Sequence, residues 1–159
     1  MQNTNFSITT VYKNWLSSVK NDKTTETELK SIENNEKEIT DRFYCDLKFG
    51  TGGLRGKLGA GTNRMNVYTV GRATRGLAAY INKTASGNKS VVIAYDSRNM
   101  SRKFAFLAAD IFSEAGVKAY IFNTIMPTPV LSFAVRYLKT SAGIVITASH
   151  NPKEYNGYK

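Results

Sequence analysis

The sequence is poor in cysteine and has no long apolar run, and both shortages bear on where the protein works. Cys45 is the only cysteine among 159 residues, so no disulfide can form within the chain. No segment approaches the roughly 18 apolar residues of a membrane-spanning helix. The first ten residues lack the basic and apolar regions of a secretory signal. We therefore expect a cytoplasmic protein with no membrane partner.

Acidic residues are also scarce relative to basic ones. The 22 lysines and arginines outnumber the 12 aspartates and glutamates, which gives a formal net charge of +10. Such a charge favours anionic ligands. Nucleic acid is disfavoured, because the basic residues are scattered rather than gathered in a stripe with stacking aromatics, and the acids concentrate in residues 22–41. A standalone phosphate- or nucleic-acid-binding module remains the alternative, and so does a longer protein whose other domains supply the balancing acids.

Nucleotide-binding templates are missing from the glycine-rich segment. Six of the 12 glycines lie within residues 50–61. No glycine has the Walker spacing before Gly56-Lys57, and G-x-G-x-x-G fails from both Gly50 and Gly59. What remains is Arg55, beside Lys57, in a predicted loop that can present a cation and N–H groups to an oxyanion. A structural turn with a solvated arginine is the alternative.

A hydrolase triad is missing as well. His150 is the only histidine and directly follows Ser149, whereas consecutive side chains generally point apart. No G-x-S-x-G elbow surrounds the serine. A serine that only carries a phosphoryl group needs mainly positive charge, which His150, Lys159, Arg55 and Arg98 would supply. For His150, a loop histidine satisfied by backbone is the alternative.

What the sequence does contain is an alternation of strand and helix patterns. Three- and four-residue apolar spacing predicts helices, and short apolar runs predict buried strands. The expected elements are a helix over 9–19, acidic helical surface over 24–45, a glycine-rich loop to 66, helices over 67–81, 101–116 and 127–137, and strands over 91–96, 118–123 and 142–147. The predicted fold class is α/β: a three-layer α/β/α domain over residues 46–159 with a mainly parallel mixed sheet, preceded by an N-terminal helical arm over residues 1–45.

Three loops follow the carboxyl ends of the predicted strands, where ligands bind in open α/β sheets. They span residues 96–98, 126–129 and 148–151. We expect them to converge. Asp96-Ser97-Arg98 is expected to cap the helix near Ser101, and Pro127 with Pro129 is expected to form a rigid helix entrance.

Thr147 through Lys159, TASHNPKEYNGYK, resembles the active-site serine loop of the α-D-phosphohexomutases, the family of phosphoglucomutases and phosphomannomutases. FGTGGLRG at 49–56 and GAGTNRMN at 59–66 are similar to that family's N-terminal loop, especially in the phosphoglucomutase branch related to phosphopentomutases. AYDSR and MPTP lie where family members carry similar segments.

The resemblance implies roles for four residues of this loop and for Arg55. Ser149 would be phosphorylated, with a phosphate oxygen as one ligand of an essential Mg²⁺. His150 and Lys159 would contact the catalytic site, Arg55 would act near the phosphate and in proton transfer, and Asn151 would support the loop. The implied reaction interconverts hexose 1-phosphate and hexose 6-phosphate through a bisphosphorylated sugar, with glucose 1,6-bisphosphate as activator.

The chain departs from this family by what it lacks. Family members have four domains, and their metal loop of closely spaced aspartates lies in the second, whereas this sequence has no D-x-D-x-D cluster. We therefore expect residues 46–159 to be domain I, with the other three domains and a phosphosugar as its partners. We expect negligible mutase activity from the chain alone.

Overall fold

The computed structural model describes residues 7–159, so residues 1–6 of the predicted arm lie outside the described residues. Three short helices come first: α1 (Ile8–Ser18), α2 (Lys23–Ser31) and α3 (Glu36–Phe43). Each begins at a capping side chain, because Ser7, Asp22 and Asn35 accept a backbone N–H of the first turn. The predicted helices before the sheet are confirmed.

These helices share a small core and contact the glycine-rich segment. Leu29 and Phe43 are buried there with Ala60 of that segment. The expectation that the acidic residues form only solvated surface is wrong. Glu28 accepts the backbone N–H of Ala60 at 3.1 Å, and Asp41 forms an ion pair with Arg64. Glu28 is needed because the Ala60 N–H would otherwise be left without an acceptor, and Asp41 is needed to neutralise the buried Arg64 guanidinium.

A six-stranded sheet lies at the centre of the described residues, in the order β1-β2-β6-β5-β3-β4. Its strands are β1 (Phe49–Gly50), β2 (Gly53–Lys57), β3 (Ser90–Tyr95), β4 (Lys118–Ile121), β5 (Ala142–Ile146) and β6 (Tyr155–Tyr158). β3 pairs in parallel with β4 and β5, whereas β6 is antiparallel to both β5 and β2. β2 to β5 therefore share one direction, and β1 and β6 run against them.

Helices cover both faces of the sheet. α4 (Val67–Thr84) and α5 (Ser101–Glu114) pack on one face with Val91 and Ile93, and α6 (Thr128–Tyr137) packs on the other with Val92 and Ala94. Alternate residues of β3 thus face opposite layers, which explains its continuous apolar run. None of the described helices combines the length and hydropathy needed to cross a bilayer. The predicted α/β class, with helices on both sides of a mixed sheet, is confirmed.

Three strands differ from the sequence-based expectation. Part of the predicted glycine-rich loop forms β1, a tight turn and β2, and the end of the supposed polar serine loop forms β6. A Cβ on Gly157 would lie 2.5 Å from the Thr147 carbonyl oxygen and 2.9 Å from that of Leu54. Only glycine lets β6 fit between its two neighbours. Because β2 and β6 depend on glycine rather than apolar side chains, they lack the usual strand pattern.

Candidate active site

The loops after β3 and β5 meet at one edge of the sheet, as predicted. Arg98 Nη2, from the loop after β3, donates to the carbonyl oxygens of Ser149 and Asn151, both at 2.6 Å. The third loop joins the same edge through the Met126 N–H, which donates to the Tyr95 carbonyl at 3.1 Å. The serine loop therefore lies beside the loop after β3.

Ser149 occupies a tight turn in the left-handed region, with φ of 58°. Its N–H donates to Thr147 Oγ1 at 3.0 Å, and the Asn151 N–H donates to the Ala148 carbonyl at 3.1 Å. Ala148 is buried, whereas Ser149 is exposed. A non-glycine residue held at positive φ is uncommon and concentrates at functional sites. The turn therefore leaves Ser149 exposed at this edge of the sheet.

Ser149 and His150 make only a long contact. Ser149 Oγ lies 3.5 Å from His150 Nδ1, compared with roughly 2.6–3.2 Å for a base positioned to take a proton. His150 is exposed, and no carboxylate of the described residues bonds to its ring. The geometry therefore supports the sequence argument against a serine hydrolase.

Arg55 and Lys159 bring positive charge to the serine loop. Arg55 lies on β2 opposite Gly157 of β6, and its Nη1 donates to Asn151 Oδ1 at 2.9 Å. Lys159 follows β6 and exchanges backbone hydrogen bonds with Val145. Partial burial, and then the charge of Arg55, lower the pKa of the Lys159 ammonium. The two cations are therefore close enough to repel each other, and an anion between them would relieve that repulsion.

The Arg98 guanidinium lies behind the serine loop. Its Nη1 donates to the carbonyls of Pro152 at 2.9 Å and Tyr155 at 3.2 Å, in addition to the Nη2 bonds. Nε lies 3.4 Å from Asp96 Oδ2. The geometry thus supports a structural role for Arg98, and a direct phosphate contact from it stays a prediction.

The expected helix cap by residues 96–98 is wrong in detail. Met100 occupies the N-cap of α5 with φ of 68° and makes no side-chain cap bond. Asp96 Oδ1 instead accepts the Ser101 hydroxyl at 2.6 Å and the Arg98 N–H at 3.0 Å. The Ser101 N–H donates to the Arg98 carbonyl oxygen at 3.1 Å, so the main chain satisfies this donor in place of the Asp96 side chain. The predicted proline entrance to α6 is confirmed, with Pro127 at its N-cap.

Sequence reasoning missed Asn156, which is fully buried. Its Nδ2 donates to the Asn99 carbonyl and to Ser101 Oγ, both at 2.9 Å, and its Oδ1 accepts the Gly157 N–H at 2.7 Å. A buried amide needs such partners. A prediction of β6 would have revealed it, because a polar residue within a buried strand needs hydrogen-bond partners.

The described residues do not by themselves fit a magnesium ion. They contain no group of three or more histidine, cysteine, aspartate or glutamate side chains that could hold a metal. The side chains that contact Ser149 are those of Thr147 and His150, and neither is a carboxylate. Metal ligands in addition to a phosphate on Ser149 would have to come from outside these residues.

Comparison with known proteins agrees with this architecture. The family model for the phosphoglucomutase/phosphomannomutase α/β/α domain I matches residues 46–159. A phosphoglucomutase of Staphylococcus haemolyticus is 51% identical over 117 residues, which are 74% of this chain and 21% of that protein. Human phosphopentomutase is 44% identical over 154 residues, 91% of this chain and 25% of that protein.

A solved structure shows the same similarity. The crystal structure of a Thermus thermophilus protein described as a phosphomannomutase superposes with a TM-score of 0.66 at 33% identity, covering 72% of this chain and 25% of that one. The chain thus spans about a quarter of the length of these relatives. The chain belongs to the phosphoglucomutase/phosphomannomutase family, and residues 46–159 match its domain I.

Proposed function

We propose that Ser149 carries a phosphoryl group and that the chain is the phosphoserine domain of a phosphosugar mutase interconverting hexose 1-phosphate and hexose 6-phosphate. The observation that carries this proposal is an exposed serine on a left-handed turn, in a loop whose Asn151 accepts from Arg55, with Lys159 close enough to Arg55 to feel its charge. Neither cation takes part in an ion pair of the described residues. Their charges are therefore available to a phosphate.

The proposed transfer begins with phosphorylated Ser149. A sugar hydroxyl oxygen bonds to phosphorus as the bond from phosphorus to Ser149 Oγ breaks. The hydroxyl proton passes to Ser149 Oγ, which gives a bisphosphorylated sugar and a free serine hydroxyl. After that sugar reorients, its other phosphoryl group returns to Ser149 Oγ, the serine proton passes to the sugar oxygen, and the isomeric monophosphate leaves. Such transfer depends mainly on positioning and electrostatic stabilisation. Arg55 and Lys159 would stabilise the phosphate oxygens, Asn151 would orient Arg55, and His150 would contact the phosphorylated site.

Mg²⁺ and the remaining domains belong to this proposal as contributions from a longer polypeptide. The ion would supply charge neutralisation at the phosphate when bound, and one oxygen of phosphorylated Ser149 would be the only ligand from this chain. Glucose 1,6-bisphosphate would serve as the activator that loads Ser149. The single cysteine is consistent with work in the cytoplasm.

Phosphosite mapping tests the proposal. The full-length protein containing this region is incubated with glucose 1,6-bisphosphate and Mg²⁺, and its intact mass and phosphopeptides are measured. We expect one phosphate, on Ser149, and none in Ser149→Ala. Ser97→Ala is the matched control, because Ser97 is an exposed serine in the neighbouring loop. A phosphate at another residue, or none, would refute the proposal. Negligible turnover is expected from the isolated chain.

The net charge of +10 supports a second candidate, a basic module that binds nucleic acid. Titration with an oligonucleotide at several salt concentrations separates the two. A mutase domain should bind weakly and without sequence preference. Tight binding with a steep loss of affinity as salt rises would favour the basic module.

A further inference from the structure

Arg98 donates several hydrogen bonds to the main chain of the serine loop, and binding of a phosphate would not require them. The guanidinium reaches four carbonyl oxygens of one loop, those of Ser149, Asn151, Pro152 and Tyr155, at 2.6 to 3.2 Å. These residues lie within the turn that holds the proposed phosphate carrier and in the segment that follows it.

The hydrogen-bonding capacity of Arg98 is filled by these contacts. A guanidinium has five N–H donors. Nη1 and Nη2 each serve two carbonyls, and Nε faces Asp96 Oδ2 at 3.4 Å. No donor is left for a phosphate oxygen. The cation therefore acts on the backbone that carries Ser149.

We infer that Arg98 is a positioning residue: it holds Ser149 and Asn151 in the conformation that phosphoryl transfer uses, and it does not bind phosphate itself. The inference rests on the proposed function of Ser149. Holding the Asn151 carbonyl also fixes the residue whose side-chain oxygen accepts from Arg55. The Arg98 guanidinium thus sets the position of Ser149, the proposed phosphate carrier, and of Asn151, which accepts from Arg55.

The support beneath Arg98 is itself ordered. The Arg98 side chain is 16% exposed, and its partner Asp96 also accepts the Ser101 hydroxyl. Ser101 Oγ accepts in turn from the buried amide of Asn156. This chain of hydrogen bonds links the loop after β3 to β6. The guanidinium therefore has a fixed position from which to order the loop.

Lysine should replace Arg98 poorly. An ammonium keeps the charge but has three donors on a flexible stem, so it cannot reach four carbonyls in one plane. Arg98→Lys should keep the fold and loosen the loop. Arg98→Ala should loosen it further and leave space that free guanidinium can enter.

Hydrogen exchange on the 159-residue chain gives the first test. In Arg98→Ala and Arg98→Lys, we expect the Ser149 and Asn151 amides to exchange about tenfold faster while the β3 and β5 amides keep their rates. Guanidinium at about 20 mM should restore part of the Ala variant's protection. Arg102→Ala is the control, since Arg102 lies over the Phe106 ring at 4.9 Å. Unchanged loop exchange in both variants, equal acceleration in the strands, or no rescue would overturn the inference.

Transfer by the full-length protein gives the second test. We expect Arg98→Ala to lower kcat about 100-fold, as displacement of a reacting group does, with KM nearly unchanged and with rescue by guanidinium. A large rise in KM with unchanged kcat would show that Arg98 binds phosphate and would overturn the inference. If wild-type Ser149 takes up no phosphate, the proposed function fails, and the exchange measurements still decide whether Arg98 orders the loop.

Discussion

Replacing Asn156 with alanine removes the amide that joins β6 to the loop after β3. Three hydrogen bonds are lost, two from Nδ2 and one to Oδ1. Because the Asn156 side chain is fully buried, water does not readily replace the hydrogen bonds that it makes. The change therefore measures how strongly this contact stabilises the sheet edge that carries Ser149.

The three hydrogen-bond partners of the Asn156 side chain are affected differently by its removal. Asn99 is exposed, so its carbonyl regains water, and Ser101 Oγ keeps its bond to Asp96. The Gly157 N–H is left buried without its acceptor. At about 1 kcal/mol for each lost bond, with more for a buried unpaired donor, the free energy of unfolding should fall by about 3 kcal/mol.

Tyr158→Phe is the matched control, two residues along the same strand. Tyr158 is also buried, and its hydroxyl makes no hydrogen bond of ordinary geometry among the described residues, although the Thr74 hydroxyl is its polar neighbour. Burial raises its pKa to about 12, so the hydroxyl stays protonated at neutral pH. Its removal should change stability by less than about 0.5 kcal/mol or increase it.

Urea unfolding followed by far-UV circular dichroism measures both variants. Asn156→Ala should lower the midpoint without changing the slope, and Tyr158→Phe should leave the midpoint near that of the wild type. The reasoning would be refuted if Asn156→Ala lowered the free energy of unfolding by less than about 1 kcal/mol, or if Tyr158→Phe lowered it by more than that amount.

Three other changes test separate parts of the structure. Gly157→Ala should lower the free energy of unfolding by at least about 2 kcal/mol in the same assay, because its Cβ meets backbone oxygen at 2.5 Å; a neutral result would contradict the close approach. The hydrogen bond from Arg64 lowers the pKa of the Asp41 carboxyl in the folded chain. The stabilisation that this ion pair contributes is therefore fully present above the ordinary aspartate pKa of about 3.9. It is lost as pH falls through the lower pKa that Asp41 has in the folded chain. The stability difference between wild type and Asp41→Asn should therefore shrink on acidification, and a difference constant from about pH 7 to about pH 2 would exclude this ion pair as its source. In Arg55→Ala, the pKa of Lys159 should rise toward its ordinary value, because a repelling charge is lost while burial remains; NMR titration of the lysine side chain would show it, and an unchanged or lower value would contradict the proposed proximity.

The sequence predicted the parts of the fold that depend on apolar side chains. β3 and β5 are apolar runs, and α4 has a clear three- and four-residue stripe. β2 and β6 were missed because their place in the sheet depends on backbone packing at Gly157 rather than on apolar side chains.

The candidate site divides in the same way. The convergence of Ser149 with Arg98 follows from the position of strand ends and was predicted from chain order. The contact between Arg55 and Asn151 depends on the pairing of β2 with β6, and no local sequence pattern predicts that pairing. The hydrogen bonds of Asn156 cannot be predicted either, because the sequence does not show that this residue lies in a strand.

The position of β6 between β2 and β5 also has a consequence for folding. The hydrogen bond from Arg55 to Asn151 joins residues 96 positions apart, and β2 reaches the sheet only through β6. Contacts of such long sequence separation form late, because closing a long loop costs entropy before the contacts compensate for it. A nascent chain therefore has Ser149 without its neighbouring cation until the last strand has emerged and paired. If Ser149 carries a phosphate as proposed, the ability to hold it would then mark chains in which β6 has paired with β2 and β5.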